Sequence, residues 1–183
     1  MLLFVSDRLG LDVGSSSEQT GSLLAVLTLV TALAALPGGW AVDRFGRVPL
    51  MLLGAIVSAV GAVLLGMAGS ALQMLMFGTL LAIGSAAFST GNWALAADLA
   101  PKGEAARFLA LANFGTAGAA ALAGLFGLLI DLGNRLDAGA GFTALFAAAA
   151  IAFIASALVV RWIVVPAQQN VLAKASISPS APS

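Results

Sequence analysis

The chain has 183 residues, 61% of them hydrophobic and 9% charged, with a mean hydropathy of +1.06 and a formal net charge of zero. Soluble domains carry ~25% charged residues, so this composition belongs in a lipid bilayer, and without a basic cluster the chain lacks the means to neutralise several phosphates of a nucleic acid at once. It contains no Cys and no His, which removes disulfides, thiol nucleophiles, thiolate metal sites and the commonest metal ligand.

Met1 to Ser6 are apolar but too few to cross a membrane, and Asp7, Arg8 and Asp12 stop them. With no basic start and no adequate apolar core, this segment reads as the tail end of a helix rather than a signal peptide. Residues 1–19 are therefore expected to be a helix stub and an external loop. Five apolar spans follow, Thr20 to Val42, Val48 to Gly69, Ala71 to Ala97, Phe108 to Ile130 and Ala138 to Val160. Each is long enough to cross ~30 Å of hydrocarbon as a helix. In lipid the backbone must satisfy its own hydrogen bonds, and the runs lack the alternating pattern of barrel strands, so helices are the expected solution. The predicted architecture is an all-α integral membrane domain over residues 20–166, with five transmembrane helices after the N-terminal stub. Residues 167–183, rich in Ser, Ala and Pro, are expected to be a disordered tail.

Basic residues set the orientation. With the turn at Asp43 to Arg47 on the cytoplasmic side, Arg44, Arg47, Lys102, Arg107, Arg161 and Lys174 lie there, against Arg8 and Arg135 outside. This bias predicts a cytoplasmic C-terminus in a plasma membrane or a bacterial-type inner membrane. Small residues at spacings of three and four, Gly54, Ser58, Gly61 and Ala62 in the second span and Gly115, Gly118, Ala119, Ala123, Gly124 and Gly127 in the fourth, permit close helix contact. A purely structural bundle would show the same faces.

The turn Gly38-Gly39-Trp40-Ala41-Val42-Asp43-Arg44-Phe45-Gly46-Arg47 places a dense group of charges between two uncharged spans. Asp43 ends a helix whose dipole disfavours an anion there, so it calls for an external partner. Arg44, Arg47 or the N-terminus of a neighbouring helix could serve, and Arg44 and Arg47 could equally anchor headgroups and fix topology. Gly39, Asp43, Gly46 and Arg47 match the G-x-x-x-D-R-x-G-R signature that follows the second helix of each half in the major facilitator superfamily, which the chain resembles. A second stretch, Asp98 to Arg107, is similar to the acidic, Pro-containing loop that these transporters place between the tenth and eleventh helices. The resemblance implies the C-terminal six-helix half of the fold, from the end of the seventh helix to the twelfth, with the N-terminal half as a missing partner. It also implies a relay from Asp43 through Arg47 to Asp98 that latches the cytoplasmic side, with Arg107 closing the second loop. Gly127, Asp131 and Arg135 repeat the spacing of Gly39, Asp43 and Arg47, an echo compatible with an inverted repeat or with chance.

Polar residues at membrane depth are costly unless packed or functional. Ser85, Ser89, Thr90, Asn92 and Trp93 lie in the third span, and Asn113 and Thr116 in the fourth. Of these, Ser89, Asn92, Trp93 and Asn113 are the candidate substrate-cavity residues, whereas Ser and Thr hydroxyls commonly bond their own helix, and Trp40 and Trp162 suit the interface. No acidic residue lies mid-span, no nucleotide-binding loop is present, and no nucleophile is placed with a base. The expected function is secondary active transport of a small solute, with no catalytic residues, metal or cofactor. The alternative is a membrane half-protein that does not transport without its companion half.

Overall fold

The computed structural model describes residues 2–10, 13–100 and 140–162, together with 103, 106–107, 110, 113–114, 117–118, 126–127, 130 and 132–135. Five helices are defined over them. These are α1 (Leu2–Leu9), α2 (Val13–Phe45), α3 (Arg47–Gly66), α4 (Ala71–Leu99) and α5 (Ala140–Trp162). Among the described residues, α2 to α5 are long and apolar enough to cross a membrane. The expected span 108–130 lies largely outside the described residues, although its described positions are helical, and the expected tail 167–183 lies wholly outside them.

The N-terminal stub is helical, and Gly10, at φ 62°, follows it in the left-handed region where a helix commonly terminates. Helix α2 opens at Val13, well ahead of the uncharged run that starts at Thr20, so residues expected to form an external loop are its first two turns. The Gly69-Ser70-Ala71 turn between α3 and α4 is capped on both sides. Ser70 Oγ accepts from Gln73 N at 3.3 Å, and Gln73 Oε1 accepts from Gly69 N at 2.9 Å, a reciprocal arrangement that satisfies two otherwise free amides.

Helix α3 is the hub of the bundle, with 10 of its 20 residues buried against 4 of 23 in α5. Its three levels each hold one packed cluster. At one end Phe4, Val5, Leu23, Leu65, Met74 and Phe142 meet, with Phe4 edge-on to Phe142 at 5.4 Å and to Phe146 at 5.1 Å. Ala59, Ala62 and Ala150 form the middle, and Met51, Leu95 and Val160 the far end. The last cluster brings Arg161, at the end of α5, to the same end of the bundle as the Asp43–Arg47 turn.

Helices α3 and α4 are the closest pair because glycine faces glycine between them. A Cβ added at Gly54 would lie 2.5 Å from Phe88 N and 2.8 Å from Gly84 O, so only a hydrogen fits. Close approach of this kind is how helices associate where solvent supplies no hydrophobic drive. Beside it, the Ser58 and Ser85 hydroxyls share a hydrogen bond at 3.4 Å. Ser58→Cys combined with Ser85→Cys, in a chain that has no other Cys, is expected to form a disulfide under mild oxidation, since the two side chains already meet. Mass spectrometry of unreduced peptides checks this, and oxidation no faster than for a Ser58→Cys, Ser89→Cys pair would contradict the crossing.

Candidate transport site

The turn that joins α2 to α3 is built around Gly46, whose backbone at φ 91° and ψ 162° would strain any side chain. Its N–H still bonds to Val42 O at 2.9 Å, and its carbonyl accepts from Leu50 N at 3.4 Å. One residue therefore closes α2 and opens α3. That sharp reversal aims Arg47 across α3 toward the end of α4.

There Arg47 meets Asp98. Arg47 Nε lies 2.6 Å from Asp98 Oδ2, and Nη2 donates to Oδ1 at 3.4 Å. The Nε contact is a close charge pair without good hydrogen-bond alignment, because the N–H does not point along the line of approach. Each charge sits at the unfavourable end of its own helix, Arg47 at the N-terminus of α3 and Asp98 at the C-terminus of α4, so each offsets the dipole penalty of the other. Their side chains are 37% and 49% exposed, so the pair contributes only ~0–1 kcal/mol to stability. Its value lies in what it ties together.

Asp43 is exposed and makes no ion pair with Arg44, Arg47 or any other described residue. Arg44 instead lies over Trp40, 5.3 Å from the ring centroid. Gly39 faces open space, and its neighbour Gly38 is the one in close contact, where a Cβ would lie 3.2 Å from Thr90 Oγ1. Sequence reasoning passed over Gly38, although two consecutive glycines in a span signal that one of them is pressed against another helix. Arg107 is helical and exposed; Lys102 and Glu104 lie outside the described residues.

Ser89, Asn92 and Trp93 are all exposed on α4, and their spacing of three and four residues sets them on one face. None makes a hydrogen bond with another described residue. Thr90 does not join them, since its hydroxyl donates to Ala86 O at 2.8 Å, and Thr28 and Thr31 of α2 likewise donate to the Leu24 and Leu27 carbonyls. Asn113 is helical and exposed, and Thr116 lies outside the described residues. The open face thus offers one hydroxyl, one amide and one indole, all uncharged, in an apolar span that ends at the Arg47–Asp98 pair. A groove between α3 and α5, lined by Ala59, Val60, Val63, Leu64, Ala150 and Ile154, has no polar side chain with which to hold a polar solute.

The family model for the Major Facilitator Superfamily matches residues 1–182 of the chain. No curated protein and no solved structure matches it.

Proposed function

Because the chain belongs to the Major Facilitator Superfamily, whose members work in membranes and move small solutes, we propose that it acts as the C-terminal half of a secondary carrier. The observation that carries this reading is the Arg47–Asp98 pair. It joins the turn after α2 to the end of α4, and a contact worth ~1 kcal/mol is too weak to hold a fold yet strong enough to bias two states separated by a few kcal/mol. The similarity of Asp98 to Arg107 to the loop after a tenth helix supports the C-terminal placement. In this reading the N-terminal half supplies the opposite wall of the solute path, and the C-terminus faces the cytoplasm, on the side of Arg44, Arg47 and Arg161. Ser89, Asn92 and Trp93, joined by Asn113, form this half's wall, where the amide and hydroxyl orient a solute and the indole packs on its less polar face.

Alternating access is testable with Ser89→Cys, a near-isosteric change that introduces a single thiol into a cysteine-free chain. In sealed vesicles that hold this half together with its N-terminal half, a membrane-impermeant maleimide is expected to reach that thiol from either side, with the balance changing when Asp98→Asn breaks the pair. Labelling from a single side that Asp98→Asn leaves unaltered would count against a carrier and favour a membrane half-protein without transport of its own.

A further inference from the structure

Arg44 has no part in the pair just described, and its surroundings differ from those of Arg47. It stands in the last turn of α2, where its guanidinium lies 5.3 Å from the Trp40 ring centroid and 6.0 Å from that of Phe45. The two rings meet edge to face at 6.1 Å and 89°, and each is 60% exposed. Trp40 and Arg44 are one turn apart and share a helix face, which accounts for the stacking. Asp43 is adjacent in sequence but forms no ion pair with Arg44, so the guanidinium is not taken up by that carboxylate.

Two bare rings and a cation with no carboxylate partner among the described residues are an awkward group to leave in water. They suit the level where hydrocarbon gives way to headgroups, since aromatic rings favour that zone. Stacking on a ring occupies the face of a guanidinium and leaves its N–H edge free. That edge is a planar fork that matches two oxygens of a phosphate. The carbonyls ending α2 repel an anion, so the cation is indispensable to any such contact.

We propose that Trp40, Arg44 and Phe45 form a headgroup site for an anionic phospholipid, with the phosphate on the Arg44 fork and the rings against the glycerol and upper acyl chains. The site sets an anionic-lipid requirement at the end of α2, one residue before the Gly46 reversal that aims Arg47 at Asp98.

The chain has no Tyr, so Trp93→Phe with Trp162→Phe leaves Trp40 as the reporting fluorophore. In phosphatidylcholine vesicles containing either brominated phosphatidylglycerol or brominated phosphatidylcholine, quenching of Trp40 is expected to favour the anionic lipid about fivefold, as one basic residue near an anionic surface allows. Arg44→Gln should abolish the preference. Arg161→Gln, which removes an exposed basic residue at the same end of the bundle, should leave it intact. Equal quenching by the two lipids, or a preference that survives Arg44→Gln, overturns the proposal. So does erasure of the preference by millimolar inorganic phosphate at constant ionic strength, which would assign the cation to a soluble anion. Should Arg44→Gln lose helicity by circular dichroism, Arg44→Lys replaces it, and the expected result is a reduced preference, because the charge remains without the fork. An unchanged one refutes the site.

Discussion

Gly84→Val is expected to damage the α3–α4 pair severely. A Cβ at position 84 would lie 2.6 Å from both Ser58 N and Ser58 Oγ and 2.8 Å from Gly54 O. Two of those three atoms are main chain and cannot rotate aside, so the helices must separate. Overpacking of this kind costs about 1–3 kcal/mol, and the upper end applies where backbone meets backbone. Separation would also pull Ser58 from Ser85 and shift Arg47 relative to Asp98. Titration of micelle-embedded protein with sodium dodecyl sulfate, followed by circular dichroism, should show unfolding at clearly lower detergent fraction. Gly21→Val is the matched control, since a Cβ there meets nothing within 4 Å. Equal midpoints for the two variants would mean that the close crossing does not hold the pair together.

Asp98→Arg is expected to change the conformational balance far more than the stability. It replaces an attraction with a repulsion between two half-exposed guanidinium groups, a change of about 1–2 kcal/mol in all, or about tenfold in an equilibrium between two states. Vesicle labelling of Ser89→Cys should register that factor as a changed ratio of rates from the two sides, while the detergent midpoint hardly moves. Exchanging the charges, with Arg47→Asp added to Asp98→Arg, restores an opposite-charge pair and should recover most of the original ratio. A double variant no closer to the parent than the single reversal would show that the pair does not govern access to α4.

The two arginines of the turn show how far residue types can be read and where that reading stops. Local spacing puts Arg44 and Arg47 in one short cationic segment, and either could serve Asp43, a headgroup or a distant carboxylate. Resemblance to a transporter family singled out Arg47 and Asp98, residues 51 positions apart with no local pattern to connect them. The structure brings these two together, places Arg44 on Trp40, and leaves Asp43 without an ion pair among the described residues. Reversal of the chain at Gly46 decides the matter, because it turns Arg47 into the α3–α4 crossing and leaves Arg44 on the outer face of α2. The polar residues divide in the same way. Thr28, Thr31 and Thr90 turn back onto their own helices, an outcome that hydroxyl chemistry anticipates. The exposure of Ser89, Asn92 and Trp93 together on one face depends instead on where α2 and α3 lie against α4.

By itself the sequence determined that this chain lives in a membrane as helices and where one tight charged turn divides them. Long uncharged runs in hydrocarbon leave the backbone few other ways to satisfy its hydrogen bonds, and Gly46 with its neighbouring charges can only be a turn at the surface. The tertiary structure decided which small residues are contacts, with Gly38, Gly54 and Gly84 pressed against neighbours while Gly21 and Gly39 face open space. It also decided that α3 is the hub and that Asp98 belongs to Arg47. Those outcomes depend on the rotation and crossing of whole helices, which are set by many weak contacts between segments far apart in the chain.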